Sequence, residues 1–386
     1  MEVFMNYIIV GAGLTGCVIA QRLAQNPENH ILMIDRKWHI GGTCYDRYDD
    51  NGILIHQYGP HIFNTPDKQV WDYVNQFTDF YEYYHRVLGY VDGTLVPIPF
   101  NLKSIEKLLP AAMADRITRK LLDKYSYNEK VPILELQKQE DEDLQWLADF
   151  VYEKVFLHYT MKQWGQSPDE VGGKAMARIP VFISTDDRYF QNQYQGVPVH
   201  GYTAMMQNMI RKENISVLLG MDYRKMIRLD EENRNVLVNG AAFSGKVIFT
   251  ACLDGLFGYE FGALPYRSLD FQFATMDQES FQPVATVNYP CNYDFTRITE
   301  FKKLTFQKHE KTTIMREYSL QYDPDDQTHD PLYPIPKAEN EELYQRYLRK
   351  AEEYPQLVAA GRLANYKYFT MAETIRNALD IAEGLL

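Results

Sequence analysis

The stretch "YIIVGAGLTGCVIAQRLA", residues 7–24, decides the fold class. Four β-prone residues lead into glycines spaced as G-x-G-x-x-G, at Gly11, Gly13 and Gly16, and an amphipathic helix follows. A second strand, "HILMI", ends at Asp35. This order of strand, glycine turn, helix and strand with a terminal acid predicts an α/β fold of the Rossmann type that binds a dinucleotide.

The three glycines have separate expected roles. Gly11 makes the tight turn, Gly13 lets the backbone approach the pyrophosphate, and Gly16 lets the helix pack closely on the strand. The free N–H groups at the helix N-terminus favour the phosphate charges. Asp35 is placed to accept hydrogen bonds from the adenosine ribose. A glycine-rich turn without a ligand is the alternative interpretation.

The residues after Asp35 favour FAD over NAD. The segment "RKWHIGG", with Gly41 and Gly42, resembles the extended FAD fingerprint of the glutathione-reductase-like flavoproteins. In that class the paired glycines bring a second backbone segment onto the pyrophosphate. A late "GRL" before the last helix also fits, because a helix N-terminus that approaches the flavin favours the anionic reduced ring.

Composition limits the possible classes of function. The 386 residues are 45% hydrophobic and 24% charged, which is typical of a globular enzyme with one to three domains. The net charge of −12 argues against nucleic acid and against an anionic membrane as partners. No apolar run reaches the ~18 residues of a membrane span, and no signal peptide is expected before the first strand. We therefore expect a cytoplasmic protein.

Cysteine and histidine usage predicts neither a disulfide framework nor a metal site. The 4 cysteines are scattered without a C-x-x-C pair, and the 9 histidines show no ligand spacing. Tyrosine is abundant, with 29 residues beside 20 Phe and 4 Trp. We expect part of this aromatic excess to line a cleft that stacks a base or a sugar, with core packing as the alternative.

Beyond the nucleotide-binding segment, the predicted secondary structure changes twice along the chain. Residues 86–100 predict a hairpin with its turn at Asp92-Gly93, and residues 104–158 are helical in pattern. Residues 265–320 contain alternating segments typical of an antiparallel sheet. The segment "IFTACLDGLF" predicts a strand that returns to the nucleotide domain, and the chain closes with an amphipathic helix.

A set of motifs in order along the chain narrows the choice among flavoproteins. They are "HIGG", "YGPHIF", "HYTMKQWG" at residues 158–165, "ARIPVF", "TRITEF", "MREYS" and "GRLANYKYF". Together they resemble the bacterial UDP-galactopyranose mutases, from residue 7 to the end of the chain. Such isomerases use reduced FAD, without net oxidation, to interconvert the pyranose and furanose rings of a nucleotide sugar. The resemblance implies that flavin N5 attacks the anomeric carbon while UDP leaves.

The resemblance also implies an organisation into domains. A glutathione-reductase-like FAD-binding domain is expected over residues 1–83, 203–258 and 338–386. A helical bundle is expected over 103–173, and a twisted antiparallel sheet that binds the substrate over 84–102, 174–202 and 259–337. The resemblance further implies a homodimer, reduction of FAD by NAD(P)H from solution, and a role in making galactofuranose for cell-wall or other polysaccharides.

Two arginines are implied to hold the diphosphate, Arg178 and Arg297, and Arg178 would close over the substrate as a lid. Tyr159 is implied to stack on uracil and Gln163 to read its edge. His61 is implied to orient the flavin ring and completes the catalytic set with the two arginines. The other implied substrate-binding residues are Phe156, Thr160, Trp164, Tyr189, Arg267, Asn288, Tyr318 and Tyr368.

The implied cofactor-binding set joins the glycine turn to later segments of the chain. It comprises Gly11, Gly13, Leu14, Gly16, Asp35, Arg36, Gly42, Thr43, Tyr58, His61, Gly361, Arg362, Tyr368 and Met371. No residue is implied to bind a metal.

The chain departs from the family pattern at several positions. Thr370 stands where the family has Asp, Thr43 where it has Asn, Phe182 where it has Arg, and His85 where Asn is common; residues 171–173 also differ. These departures leave open a mutase for UDP-N-acetylgalactosamine or dTDP-fucose. A flavin oxidoreductase of the amine-oxidase or desaturase type and a non-enzymatic FAD-binding protein are further alternatives. The arginines and "YTMKQW" argue against both.

Overall fold

The computed structural model describes residues 6–165, 180–326 and 328–386. Its α-helices, in chain order, are α1 (Leu14–Leu23), α2 (Lys68–Val74), α3 (Leu102–Leu108), α4 (Ala111–Lys124), α5 (Ile133–Gln137), α6 (Glu142–Val151), α7 (His158–Trp164), α8 (Gly201–Met209), α9 (Leu253–Leu256), α10 (Lys302–Thr305), α11 (Ala338–Glu352), α12 (Gly361–Ala364) and α13 (Met371–Leu385). A π-helical segment, Tyr152–Leu157, joins α6 to α7. None of the helices in the described ranges is both long and apolar enough to cross a membrane.

The strands belong to two principal sheets and several small ones. In chain order they are β1 (Tyr7–Val10), β2 (Ile31–Asp35), β3 (Asp46–Tyr48), β4 (Leu54–His56), β5 (Phe63–Thr65), β6 (Phe80–Glu82), β7 (Val87–Val91), β8 (Thr94–Ile98), β9 (Lys130–Pro132), β10 (Pro180–Phe182), β11 (Tyr194–Pro198), β12 (Ile215–Leu219), β13 (Ile227–Asp230), β14 (Asn235–Val238), β15 (Ala241–Ala242), β16 (Lys246–Phe249), β17 (Tyr266–Met276), β18 (Thr286–Asn288), β19 (Arg297–Glu300), β20 (Thr312–Gln321), β21 (Tyr333–Pro334) and β22 (Leu357–Ala359).

The first principal sheet is parallel, with five strands in the order β12-β2-β1-β16-β22. Side chains alternate between its faces, so Ile8 and Val10 of β1 belong to one buried cluster and Ile9 to another. Both faces are covered, which explains why β1 reads as a continuous apolar run. The strand predicted near residue 250 is β16, and its pairing with β1 confirms the return to the nucleotide domain.

Helices α1 and α13 share the buried cluster on one face of this sheet. Val18 of α1 and Ile375, Ala378 and Ala382 of α13 are fully buried there. The amphipathic helix predicted at the end of the chain is thus confirmed. Helix α11 contributes Tyr347 to the cluster on the opposite face.

The second principal sheet has seven strands in the order β21-β17-β20-β19-β18-β7-β8. Its pairings are antiparallel except for that of β18 with β7. The long strands β17 and β20 pair without interruption from Arg267 opposite Gln321 to Met276 opposite Thr312. The predicted hairpin is confirmed, because Asp92 and Gly93 connect β7 to β8 with φ values of 47° and 86°.

Helices α3 to α6 pack around a separate hydrophobic core, in addition to the two on the faces of the parallel sheet. Asn101 caps α3 in a capping box with Ser104, and Asp141 caps α6 through the amides of residues 143 and 144. Leu144, Leu147, Ala148 and Val151 of α6 are buried. The helix does not continue regularly from there, because the π-helical segment changes its pitch before α7.

Two strands of the segment 174–202 lie outside the seven-stranded sheet. Strand β11 pairs with β5 and β6, and β10 pairs with β9. Gly196 sits between its two neighbours, and a β-carbon there would lie 2.7 Å from the Tyr81 carbonyl oxygen. This close approach, together with the burial of Val197, fixes β11 against the N-terminal segment.

Candidate active site

A cavity of about 300 Å³ opens at the carboxyl ends of the parallel strands. Val10 ends β1, Asp35 ends β2 and Thr250 follows β16, and all three line it. Open parallel sheets bind ligands at this edge. The glycine turn, Thr43 and the C-terminal residues Leu363 and Met371 complete the lining.

The glycine turn is closely packed. Gly11 has φ of +110°, and a β-carbon on it would lie 2.0 Å from Thr250 Oγ1. A β-carbon on Gly16 would lie 2.1 Å from the Gly11 carbonyl oxygen, so α1 can approach the turn only with glycine at that position. Gly13 and Leu14 line the cavity at the start of α1.

A second glycine segment lies directly against the first. The Gly41 N–H donates to the Ala12 carbonyl at 2.8 Å, and a β-carbon on Gly42 would lie 2.9 Å from Gly13 Cα. Gly13 and Gly42 both line the cavity. Two backbone segments without side chains therefore meet at one point of the cavity wall, where a pyrophosphate can approach closely.

Asp35 stabilises the glycine turn by accepting a hydrogen bond from its backbone. Its Oδ2 accepts from the Ala12 N–H at 2.8 Å, and its Oδ1 accepts from the Lys37 N–H at 2.9 Å. The next residue, Arg36, pairs with Asp330 at 2.7 Å, and Lys37 donates to Tyr58 Oη at 2.6 Å and to Asp330. Lys37 and Asp330 were not found from the sequence, since Asp330 lies in a turn-rich loop that carries no motif.

The C-terminal segment closes the other side of the cavity. A β-carbon on Gly361, which has φ of +83°, would lie 2.6 Å from Thr15 Oγ1. Arg362 donates to the carbonyl oxygens of Leu332 at 3.2 Å and Phe369 at 2.9 Å. Thr370 caps α13 in a capping box with Glu373. With the two glycine segments and Asp35, this lining fits an extended dinucleotide such as FAD.

An arginine and a buried glutamate lie on one face of the antiparallel sheet. Arg297 Nε donates to Glu317 Oε1 at 2.6 Å, and the Glu317 side chain is 2% exposed. The two residues are directly opposite on β19 and β20, and Asn288 of β18 is opposite Arg297 on its other side. Burial lowers the Arg297 pKa, but Glu317 and the nearby Tyr159 outweigh it and the pKa is raised overall. The guanidinium therefore stays charged with its orientation fixed.

Two histidines beside this pair are neutral. Burial lowers the pKa of His61 to about 3, with further contributions from His56, Arg362 and Arg297. Burial also lowers the pKa of His85 to about 3, assisted by Arg297. His61 Nδ1 is 2.8 Å from the Gly59 carbonyl, which can only accept. The proton is therefore on Nδ1, and Nε2 is a free acceptor.

His56 holds the backbone of the turn before His61. Its Nδ1 accepts from the His61 N–H at 3.0 Å, and its pKa is lowered by burial to about 4. The opposite nitrogen, Nε2, is buried without a hydrogen-bond partner among the described residues. No motif singles out His56, since a histidine in a short apolar strand is commonly a core residue.

Tyrosines surround Arg297. Burial raises the pKa values of Tyr159, Tyr189 and Tyr333, while Arg297 lowers each of them. They are therefore neutral phenols within the electrostatic influence of Arg297, and Tyr159 and Tyr333 line one cavity with it. The centre of the Tyr333 ring also lies 5.5 Å from the Arg362 guanidinium and 6.0 Å from the centre of the Tyr368 ring. Tyr333 therefore connects two sites. We call the surroundings of Arg297 and Glu317 the arginine site, and the cavity at the carboxyl ends of the parallel strands the cofactor cavity. Tyr368 itself is 56% exposed.

Helix α7 supplies the other wall of the arginine site. Tyr159 and Gln163 line a small cavity together with Arg267, Arg297 and Tyr333. The Gln163 carbonyl accepts from Ser319 Oγ at 2.6 Å and from Arg267 Nε at 3.3 Å.

Several predicted residues lie apart from this cavity. Thr160 is buried, and Phe156 packs on the helical core. Tyr318 follows Glu317 on β20, so it faces the opposite side of the sheet, where its ring meets Phe295 at 6.0 Å. Arg178 and the side chain of Trp164 lie outside the described residues.

Comparison with known proteins agrees with this arrangement. The family model for UDP-galactopyranose mutase matches residues 154–368, and that for an NAD(P)-binding Rossmann-like domain matches residues 9–77. The chain is 36% identical over 385 residues to a probable UDP-galactopyranose mutase of Klebsiella pneumoniae, covering 99% of this chain and 94% of that protein. It is 34% identical over 381 residues to the dTDP-fucopyranose mutase of Escherichia coli, covering 97% of each.

A solved structure shares the fold. It is a reduced UDP-galactopyranose mutase, with a TM-score of 0.71 at 16% identity, covering 98% of this chain and 93% of that one. This likeness and the Rossmann-like match confirm the predicted fold class.

Proposed function

The chain belongs to the UDP-galactopyranose mutase family, and on that premise we propose that it interconverts UDP-galactopyranose and UDP-galactofuranose. It is accordingly an isomerase, and FAD is its cofactor. The predicted family, activity and cofactor are confirmed at this level. The roles of individual residues are part of the proposal.

The observation that carries the proposal is the position of Arg297. This fixed cation lies among Tyr159, Tyr189 and Tyr333, and Tyr333 connects it to Arg362 at the wall of the cofactor cavity. A ligand with a diphosphate and a sugar, bound here, places the phosphates on the arginine and the sugar toward the cofactor. A simple flavin oxidase has no diphosphate for such an arginine to hold.

Each side chain then has a defined task. Arg297 uses its two Nη groups for the departing diphosphate, because Nε is already bound to Glu317. Each charge-assisted contact contributes roughly 1.5–3 kcal/mol. The phenols of Tyr189 and Tyr333 are neutral donors, which add hydrogen bonds to the phosphates without adding charge. Tyr159 stacks on the base, a contact of about 1–3 kcal/mol.

Reduced FAD supplies an electron-rich nitrogen for the anomeric carbon when it is bound. The protein holds the flavin ring and keeps protons at defined atoms of its own side chains. His61 carries its proton on Nδ1 and keeps Nε2 as an acceptor. Gly13, Gly42 and Asp35 hold the nucleotide end of the cofactor.

A second candidate is a mutase for dTDP-fucose. The observation that favours it is the relative from Escherichia coli, which is nearly as similar as the probable UDP-galactopyranose mutase.

One assay tests the proposal and separates the candidates. We expect the dithionite-reduced protein to convert UDP-galactofuranose to UDP-galactopyranose and the oxidised protein to be inactive. Turnover of dTDP-fucofuranose alone would select the second candidate. Stoichiometric flavin reoxidation coupled to product would overturn both in favour of an oxidoreductase.

The remaining implications of the resemblance stay predictions. They are a homodimer, a cytoplasmic location, reduction by NAD(P)H from solution and a role in supplying galactofuranose to polysaccharides. Light scattering on the purified protein tests the first, and cell fractionation tests the second. NADPH oxidation by the holoenzyme without air tests the third.

A further inference from the structure

Lys162, in helix α7, places its ammonium group among three backbone carbonyls of one loop. Its Nζ donates to the carbonyl oxygen of Tyr289, to that of Tyr293 at 3.0 Å and to that of Phe295 at 3.2 Å. An ammonium group has three N–H donors, so this loop satisfies all of them. Among the described carboxylates, none forms an ion pair with Lys162. We call residues 289–296, which connect β18 to β19, the hairpin loop.

The arrangement suits lysine and no other side chain. The three carbonyls converge on one point, which matches a compact ammonium and not the planar fork of arginine. Burial lowers the Lys162 pKa, and the nearby Cys291 and Asp294 raise it in part. A partly buried cation costs desolvation energy, which hydrogen bonds to the charged group offset. Its hydrogen bonds among the described residues are all with the hairpin loop, so Lys162 links α7 to that loop.

The hairpin loop begins and ends at the arginine site. Asn288 and Arg297 are paired directly across β18 and β19, and the Tyr289 N–H donates to the Thr296 carbonyl at 2.9 Å. Lys162 therefore connects helix α7, by hydrogen bonds, to the hairpin loop next to Arg297. Tyr159 is three residues earlier in α7, on the same side of the helix.

A different pair of contacts holds the next residue of α7 to the other half of the sheet. Ser319 Oγ and Arg267 Nε both donate to the Gln163 carbonyl. The helix is thus attached to β17 and β20 through Gln163 and to the β18–β19 hairpin through Lys162. The Lys162 attachment reaches the loop that ends at Arg297 itself, while the Gln163 attachment reaches β20, the strand of its partner Glu317.

We propose that Lys162 is a positioning residue that sets the separation between Tyr159 and Arg297, so that the site selects ligands with the length of a nucleoside diphosphate. The inference rests on the proposed function, which places the base on Tyr159 and the diphosphate on Arg297. A ligand that reaches both residues gains from their fixed separation, since binding at one end aligns the other. A ligand that reaches only one of them gains nothing.

The test compares UDP with its two halves. In the oxidised holoenzyme, we expect Lys162→Met to raise the Kd of UDP about tenfold. The Kd values of uridine and of inorganic pyrophosphate should change less than about twofold, because each uses one attachment. Calorimetry measures UDP, and ligand-observed NMR measures the two halves. In turnover, KM for the nucleotide sugar should rise more than kcat falls.

Lys154→Met is the matched control. Lys154 lies in the π-helical segment just before α7, and its Nζ is 3.3 Å from Asp92 in an exposed ion pair of little energetic value. The same substitution there should leave all three Kd values unchanged. Lys162→Arg keeps the charge in a different geometry and should recover part of the UDP affinity.

Distinct outcomes separate the inference from the proposed function. An equal loss for UDP, uridine and pyrophosphate would show a general structural role and overturn the inference, as would unchanged UDP binding. A wild-type holoenzyme that binds neither UDP nor dTDP would instead refute the proposed function. If Lys162→Met loses its flavin, Lys162→Gln, which keeps two N–H donors, carries the same comparison with an expected ratio of about threefold.

Discussion

The cofactor cavity and the arginine site are built by opposite means. At the cavity, Gly13 and Gly42 present bare backbone, and a β-carbon on Gly42 would lie 2.9 Å from its neighbour. At the arginine site, the contacts come from long side chains, with Arg297 held by Glu317 at 2.6 Å. One region depends on the absence of side chains and the other on their presence.

This difference determines which kind of substitution damages each region. A backbone site is damaged by added volume, since close-packed segments cannot move apart without strain. A side-chain site is damaged by lost charge, since a buried partner is then left unpaired. Substitutions can therefore remove one function and leave the other intact.

The largest expected effect is at Arg297. We expect Arg297→Ala to lower kcat/KM by about 10²–10³-fold, because it removes stabilisation of the charge that develops on the diphosphate. Flavin content, measured from the visible absorbance relative to protein, should stay at the wild-type level. Steady-state turnover of the reduced enzyme provides the measurement.

A paired variant separates catalysis from stability at this position. Arg297→Ala leaves the Glu317 carboxylate buried without its partner, which destabilises the protein as well. Arg297→Ala combined with Glu317→Gln should recover thermal stability but not turnover. Recovery of turnover by the double variant would contradict the assignment of Arg297 to the diphosphate.

Acid should destabilise the protein through the buried histidines near the arginine site. Burial lowers the pKa values of His56, His61 and His85 to about 4, 3 and 3. These rings take up protons near pH 6.5 only in the unfolded chain, so their stabilisation is complete above pH 6.5 and is lost as pH falls below it. Each contributes a slope of up to about 1.4 kcal/mol per pH unit.

Urea unfolding at pH 7.5, 6.5 and 5.5 measures this slope. His85→Asn removes one titrating ring and should reduce the slope by up to about 1.4 kcal/mol per pH unit. Burial raises the pKa values of the Cys17 and Cys44 thiols beside the cavity, so these groups take up no protons in this range. An unfolding free energy that stays level from pH 6.5 to 5.5 would rule out the neutral histidines.

The same contrast explains what could be predicted from the sequence. The glycine turn and Asp35 lie within one local segment, and local spacing determines their geometry. Arg297 could be named from its motif, but its partner Glu317 follows only from the register of β19 against β20, which a linear pattern does not specify. Tyr333 and Lys162 needed the folded chain, since each acts on residues far away in sequence.

Tyr318 illustrates the limit most directly. It is adjacent to Glu317 in a motif that resembles the family, yet alternation along β20 turns it to the other face of the sheet. The same limit applies to the fold. The pairing partners of residues 194–198 do not follow from the sequence, because a short strand carries little information on the strands it pairs with. Long-range pairing, and not residue chemistry, is what the sequence left undetermined.

Added volume at the glycine turn is expected to have an intermediate effect. Gly16→Ala places a methyl group where only 2.1 Å separates it from the Gly11 carbonyl, so it should cost about 1–3 kcal/mol and release much of the flavin. Gly384→Ala, in helix α13 with no atom within 4 Å, is the matched control. It should be neutral or slightly stabilising, since Ala favours helix. Equal flavin content in the two variants would contradict the packing argument.

The smallest expected effect is at Thr370, the N-cap residue of α13. Its hydroxyl accepts from the Glu373 N–H at 3.2 Å, and Glu373 accepts from the Thr370 N–H at 2.8 Å. Thr370→Ala should therefore cost about 1 kcal/mol through the lost helix cap, while Thr370→Asp keeps the cap. Thermal unfolding measures both.

The sugar preference is the sharper readout at this position. Because the Thr370 hydroxyl is engaged by the helix, we expect Thr370→Asp to change the ratio of kcat/KM for UDP-galactofuranose over dTDP-fucofuranose by less than about twofold, within the effect of a charge at a helix N-terminus. A tenfold change would mean that this residue reads the sugar. It would then move substrate choice from the sheet side chains around Arg297 to the start of α13, and so join the two regions that are separate here.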